Sequence, residues 1–192
     1  MVCLLYYIRN IGDLKAPGAD GMSCLLYKKH WEIVGTDVTR EVQNFLNGGN
    51  MPEMWNETVV VVIPKTPNTD RLKDLRPISL CNVIYKIGSK VLSNRLKIIL
   101  PDIMAHNQST FVPGQLVTDN VLIAYEMTRY MQNRRSGGEG CVALKLDMSK
   151  AHDRVEWGFL EQMMLKLGFC NRWVNLITKC ISTVSYHIRV NG

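Results

Sequence analysis

A short run of β-branched residues at 58–63, TVVVVI, constrains the fold of this 192-residue chain more than any other feature. Branched side chains of this kind favour a buried strand. Pro64 closes the run, because proline has no N–H with which to continue a ladder. A polar turn, TPNTDRLKD, then leads into a second short extended stretch, LRPISL. The two stretches predict a two-stranded projection with a basic tip.

Helical patterns lie on both sides of this pair. An amphipathic helix is predicted before Gly48-Gly49, which stop it, and its apolar side consists of Trp31, Val34, Val38, Val42, Phe45 and Leu46. A long helix is predicted over 82–100 and ended by Pro101, with an apolar side of Val83, Ile84, Ile87, Val91, Leu92, Leu96 and Ile99.

The C-terminal half mixes both types of element. A helix is predicted from an N-cap at Thr118 or Asp119 towards Arg135. The string CVALKLD at 141–147 then predicts a strand, and a helix follows over roughly 154–167 with Gly168 as its stop. Because these elements show no regular βαβ repeat, they indicate an α+β fold.

Composition and cysteine spacing narrow the class of protein. An apolar fraction of 46% and a charged fraction of 21% are typical of a globular domain. The six cysteines contain no CxxC pair, so neither a zinc site nor a disulfide framework is predicted. The opening apolar run, Met1 to Ile8, is short and has no basic n-region, so we predict neither a signal peptide nor a membrane span. We expect an intracellular protein of the nucleus or cytoplasm, not a secreted one.

Positive charge is concentrated in one segment. The chain has a formal net charge of +6, and the segment from Lys65 to Lys97 has eight basic residues against Asp70 and Asp74, an excess of the same size. Such a segment indicates either a nucleic-acid contact or a solvated helix face with a polar loop.

Asp147 is a candidate ligand for a metal ion. In the predicted strand, Val142, Leu144 and Leu146 face one way, while Lys145 and Asp147 face the other. Asp147 then ends the strand before a turn, where it can bind Mg²⁺. The same position suits a residue that only caps the next turn or helix, and the pattern leaves both interpretations open.

Five strings in order carry a family resemblance: KAPGADG, VVVIPK, LRPISLCNVIYKIGSKVLSNRL, NQSTFVPGQLVTDNVLIAYE and ALKLDMSKAHDRVEW. Together they closely resemble the reverse transcriptase of plant LINE-type (non-LTR) retrotransposons, from about Lys15 to Gly192. The resemblance implies a right-hand polymerase with an N-terminal flank at 1–14, a fingers-like region at 15–140 and the start of the palm at 141–192. The remainder of the palm and the thumb would lie outside this chain.

The resemblance also implies roles for individual residues. Asp147 matches the first catalytic aspartate, a ligand of both Mg²⁺ ions (Mn²⁺ is an alternative), and Met148 would add a backbone carbonyl. Lys65 and Arg76 match residues that hold the dNTP triphosphate, although both also suit plain surface charges. His152 matches the residue that screens the sugar 2′ position. The implied partners are an RNA template, a DNA primer and dNTPs, with the nucleic acid expected on Arg71, Lys73, Lys86, Lys90, Arg95 and Lys97.

The chain departs from the family pattern at several points. The family normally has an aromatic residue at position 152, where this chain has His152, and usually has arginine where Gln115 stands. The family's aromatic-x-Asp-Asp motif does not occur, because the sequence has no Asp-Asp dipeptide. We therefore expect this fragment to be inactive alone and prone to self-association through an incomplete palm. A non-catalytic nucleic-acid-binding remnant and a degraded element product without function are the alternatives.

Overall fold

The computed structural model describes residues 4–67, 71–105, 108, 114, 116–133, 142–146, 148 and 151–189. It divides into a first unit of residues 1–93 and 157–192 and a second unit of residues 94–156. The helices are α1 (Leu4–Arg9), α2 (Cys24–Lys29), α3 (Trp31–Leu46), α4 (Val83–Ile103), α5 (Val117–Asn133), α6 (Trp157–Lys166) and α7 (Asn171–Ser182). The strands are β1 (Glu57–Pro64), β2 (Leu75–Cys81) and β3 (Ser185–Arg189).

The first unit is built around a helical core. The apolar sides of α3 and α4 supply its centre, where Val42, Phe45, Ile87 and Val91 are at most 1% exposed. Helices α1, α2 and α7 add residues to the same cluster. The apolar sides predicted for α3 and for the first half of α4 are confirmed by this packing, since burial of such a side is the main source of helix stability.

Two predicted helix stops are confirmed by backbone geometry. After α3, Gly48 has φ +100 and its N–H donates to the Phe45 carbonyl, while the Gly49 N–H donates to the Asn44 carbonyl at 3.0 Å. Gly168, after α6, has φ +89. A left-handed residue that closes a helix in this way is most often glycine, because a Cβ is disfavoured there.

The three strands form one sheet in the order β2-β1-β3. β1 and β2 pair with each other, as predicted. The pairing is antiparallel, with Thr58 opposite Cys81 at one end and Pro64 opposite Leu75 at the other. The sequence pattern did not predict β3, which pairs with β1 in parallel from Glu57–Ser185 to Val61–Arg189. The predicted two-stranded projection is therefore two strands of a three-stranded sheet.

The predicted end of the long helix at Pro101 is wrong. α4 continues to Ile103, and the N–H of Met104 still donates to the Leu100 carbonyl at 3.0 Å. A proline removes one helical N–H and crowds the carbonyl four residues earlier. Here it stands in the last turn, where only a short stretch of helix follows it.

The second unit contains α5 and the segment 142–146. α5 begins at Val117, and Asp119 accepts a hydrogen bond from the Leu116 N–H instead of capping the helix from its first position. The strand predicted at 141–147 is wrong for its described residues, since 142–146 lie in no helix or strand. A strand needs a hydrogen-bonded partner. The described part of this unit contains no strand that could pair with residues 142–146.

The helix predicted over roughly 154–167 begins later than expected, at Trp157. Ala151–Arg154 form a separate 3-10 turn that precedes it. Among the residues that the structure describes, no helix is long and apolar enough to cross a membrane.

Candidate functional site

The outer end of the β1–β2 pair places two predicted phosphate-binding residues together. Arg76 lies opposite Ile63, and Lys65 directly follows the last strand pair. The Lys65 N–H donates to the Asp74 carbonyl at 2.9 Å, which extends the ladder by one bond. Since side chains alternate along a strand, Lys65 and Arg76 belong to the same face of the sheet.

Lys65 and Arg76 differ in whether their charged groups already have a partner within the described part of the chain. Lys65 Nζ donates to the Lys73 carbonyl at 2.6 Å, so its ammonium helps to close the end of the hairpin. Arg76 is exposed, and no carboxylate of the described residues lies within ion-pair distance of its guanidinium. Arg71 and Lys73 are also exposed in the connection between the strands. This end of the hairpin therefore presents several cations to solvent.

The basic residues of α4 are not equivalent. Lys86 Nζ donates to the Ala16 carbonyl at 3.0 Å and so fixes a loop that precedes α2. Lys90 is half-buried, whereas Arg95 and Lys97 are exposed. Of the predicted nucleic-acid residues on this helix, Lys86 thus has an observed structural partner.

The loop of residues 15–21 packs on the residue that precedes α4, a contact that the sequence patterns did not predict. The Asp20 N–H donates to Asn82 Oδ1 at 3.2 Å, and Asn82 Nδ2 donates to the Met54 carbonyl at 2.6 Å. A Cβ on Gly18 would clash with the backbone nitrogen of Asn82. The sequence feature that could have indicated a role for Asn82 is its position as a polar residue immediately before an apolar helix, a common helix-start pattern.

This contact makes Gly18→Ala a sharp test of the loop. The added methyl would also meet the Cys81 carbonyl carbon at 2.5 Å, and backbone atoms cannot move aside cheaply. We expect a loss of about 1–3 kcal/mol in the free energy of unfolding, measured by urea denaturation. Gly12→Ala is the matched control, because its Cβ would meet Lys15 at an ordinary 3.6 Å. Equal losses in both variants would contradict the packing of Gly18 on Asn82.

Buried polar groups tie α7 to the 3-10 turn Glu53–Asn56 before β1 and to α4. Asn56 Nδ2 donates to the Cys180 carbonyl at 2.8 Å and to Thr183 Oγ1 at 3.1 Å. Tyr85 Oη donates to the same Cys180 carbonyl at 3.2 Å. Burial raises the pKa of the Cys180 thiol to about 11 and raises the pKa of Tyr85 as well. Both groups are therefore neutral at physiological pH, and this cluster has a structural role.

The residues of the predicted metal and sugar site are Asp147, Met148 and His152. Asp147 and the side chain of His152 lie outside the described residues, as does Gln115. Met148 is exposed and stands outside helices and strands. Among the described residues, no group of three or more His, Cys, Asp or Glu side chains is arranged to hold a metal ion.

The comparison with known proteins defines the class. Residues 63–192 match the reverse transcriptase (RNA-dependent DNA polymerase) family, and the chain belongs to that family. A transposon TX1 protein of Xenopus laevis, an uncharacterized 149 kDa protein, is 28% identical over 184 residues, which cover 96% of this chain and 14% of that protein.

Two further relatives come from insects. The Pol polyprotein of the type-1 retrotransposable element R2 of Popillia japonica is 26% identical over 91% of this chain and 23% of its own length. The Pol polyprotein of the type-2 retrotransposable element R2DM of Drosophila melanogaster is 29% identical over 84% of this chain and 15% of its own length. The chain therefore spans less than a quarter of the length of each of these relatives.

Proposed function

We propose that this chain forms the fingers and the first part of the palm of a LINE-type (non-LTR) retrotransposon reverse transcriptase, which adds dNTPs to a DNA primer along an RNA template. The observation that carries the proposal is the shared sheet face of Lys65 and Arg76 at the end of the hairpin, in a chain of this family. Among non-LTR reverse transcriptases, the five sequence strings quoted above most resemble those of plant elements, so we propose a plant element. The work of such a protein is intracellular, in the nucleus or the cytoplasm.

In this proposal, each predicted site residue has a separate role in nucleotide addition. Arg76 and Lys65 balance the charge of the triphosphate as pyrophosphate leaves, which is the part that fixed cations contribute to phosphoryl transfer. Asp147 and the Met148 carbonyl are hard oxygen donors of the kind that Mg²⁺ prefers, with Mn²⁺ as an alternative. Such an ion, when bound, stabilises the attacking and leaving oxygens. In this proposal, His152 lies beside the sugar of the incoming nucleotide. The decisive test compares primer extension by an enzyme with a completed palm and by its Asp147→Asn variant.

A non-catalytic nucleic-acid-binding role is the second candidate. It is favoured by four exposed cations without an ion pair among the described residues: Arg71, Lys73, Arg95 and Lys97. Phosphate contacts by such residues give binding with little sequence preference and a strong dependence on salt. This binding would accompany polymerisation, and it would remain where catalysis is lost.

Nucleic-acid binding gives a prediction for α4. The double variant Lys90→Glu with Lys97→Glu is expected to weaken the binding of single-stranded RNA, measured by fluorescence anisotropy. The slope of log K against log salt is expected to become shallower by about 0.7 for each phosphate contact that is lost. Lys86 is left intact because it holds the Ala16 carbonyl. The control, Lys29→Glu with Lys166→Glu, changes the net charge equally at exposed positions of α2 and α6. Equal slopes in the two double variants would show that the α4 lysines are ordinary solvated surface.

Exposed apolar residues in the second unit predict self-association of the isolated chain. Val142, Leu144 and Leu146 are 91%, 78% and 84% exposed, and apolar residues of α5 such as Val121 and Tyr130 are more than 60% exposed. Large exposed apolar patches promote association. We expect oligomers that grow with concentration in sedimentation velocity, and a low, broad thermal transition. A monomer that melts cooperatively above about 65 °C would contradict this expectation.

A further inference from the structure

The charged residues of the three strands all belong to one face of the sheet. In β1, the face of Glu57, Val59, Val61 and Ile63 is matched across the ladders by Arg76, Ile78 and Leu80 of β2 and by Ser185, His187 and Arg189 of β3. A contact of 2.9 Å between His187 Nε2 and Glu57 Oε1 agrees with this assignment. The opposite face carries no charged strand residue.

The uncharged face has a different neighbour. Thr58, Cys81 and Tyr186 of that face line a small cavity together with Tyr85 of α4 and Cys180 of α7. The base of this face therefore packs towards the helical core. On the charged face, Ile63, Arg76 and Arg189 are exposed, so a ligand can reach them.

Two arginines flank an apolar strip on the charged face. Arg189 lies opposite Val61 on one side of β1, and Arg76 lies opposite Ile63 on the other side. With strands about 4.8 Å apart and a rise of about 3.3 Å per residue, their Cα atoms are roughly 12 Å apart. Between them, Ile63 and Ile78 are 46% and 38% exposed.

Neither arginine is neutralised within the described part of the chain. Glu57, on the same face, is already paired with His187, and Asp74 precedes β2 at the hairpin end, where its carbonyl accepts the Lys65 N–H. Arg189 is exposed and has no ion pair among the described residues. Arginine binds phosphate through a planar fork of donors, which makes two unpaired guanidinium groups on one face suited to a ligand with several phosphates.

We propose that Arg189 is a third phosphate-binding cation, which acts on the same sheet face as Lys65 and Arg76. The proposal rests on the proposed function for the role of those two residues, and it adds a residue from a strand far away in the sequence. The phosphates come either from the incoming nucleotide or from a nucleic-acid strand that lies across the apolar strip. In both cases Arg189 contacts the ligand directly through its guanidinium group.

The test uses the 192-residue chain and two probes: tripolyphosphate, measured by calorimetry, and a single-stranded RNA, measured by anisotropy across a salt series. Arg189→Gln is expected to weaken one or both by about tenfold, since a charge-assisted hydrogen bond is lost. Loss of tripolyphosphate binding alone assigns the nucleotide as the source. A salt slope for RNA that falls by about 0.7 assigns a strand phosphate. Arg189→Lys is expected to retain part of the affinity because it keeps the charge.

Controls separate this proposal from the proposed function. Lys29→Gln removes an exposed cation from α2 and is expected to change neither probe. Unchanged binding in Arg189→Gln, with weaker binding in Arg76→Gln, would overturn the role of Arg189 alone. Unchanged binding in Arg189→Gln, Arg76→Gln and Lys65→Gln would overturn both. A thermal melt accompanies each variant, and Arg189→Thr, which suits a strand, replaces Arg189→Gln if that variant is destabilised.

Discussion

Asp147→Asn is expected to lower the rate of primer extension by about three orders of magnitude in an enzyme whose palm has been completed. A lost carboxylate at a two-metal centre costs several kcal/mol of transition-state stabilisation, and about 1.4 kcal/mol is already tenfold in rate. The completed enzyme is this chain extended after Gly192 with the palm and thumb of a related element that carries an Asp-Asp motif. Extension of a labelled primer on an RNA template, with Mg²⁺ or Mn²⁺, measures the rate.

The control for this experiment is Asp102→Asn. Asp102 is an exposed carboxylate in the last turn of α4, and its removal is expected to leave the rate within a few-fold. The 192-residue chain without the added segment is expected to give no extension, because it supplies only one of the carboxylates that the family uses. Extension by that chain, abolished in its own Asp147→Ala variant, would contradict the proposed division of the site.

The second large effect concerns the choice between deoxyribonucleotides and ribonucleotides. His152→Tyr in the completed enzyme is expected to raise the ratio of kcat/KM for dNTP over rNTP by about 10- to 200-fold. Imidazole is smaller than phenol and can hydrogen-bond a 2′-OH, whereas the larger ring excludes it. His152→Phe is expected to act in the same direction. The ratio is measured for one dNTP and its matching rNTP in all three proteins.

A histidine elsewhere provides the comparison for this experiment. His30→Tyr makes the same chemical change at an exposed position between α2 and α3, and it is expected to leave the ratio unchanged. Equal ratios in the unsubstituted enzyme and in both His152 variants would show that position 152 does not screen the sugar. Loss of all activity in the histidine form alone would identify His152 as a damaging substitution.

Local patterns allowed much of the fold to be predicted. α3 and the first half of α4 were found because their apolar residues repeat at helical spacing and are buried on one side. The hairpin was found because branched residues and a polar turn specify it locally. The helix end predicted at Pro101 and the strand predicted at 142–146 are wrong. Whether a proline ends a helix depends on its position in the helix, and whether a segment forms a strand depends on a partner strand.

The candidate site was predictable only in part. The family strings identified Lys65 and Arg76, but their common face follows from the pairing of β1 with β2. Arg189 was not singled out, because β3 has only five residues and its position depends on a partner strand that is distant in the sequence. The role of Asn82 does not follow from local patterns, because it depends on contacts with Asp20 and Met54, which are also distant in sequence.

The parallel pairing of β1 with β3 also governs when this protein can fold during its synthesis. Glu57 can pair with Ser185 only after residue 185 has been synthesised. The ribosome therefore makes α4, α5, α6 and α7 before β3 can join the sheet. At about 5–20 residues per second, that interval lasts several seconds or more. Throughout it, the branched residues of β1 present an unpaired edge of the type that associates with other chains. The nascent protein is therefore most in need of a chaperone after the hairpin has emerged and before residue 185 has.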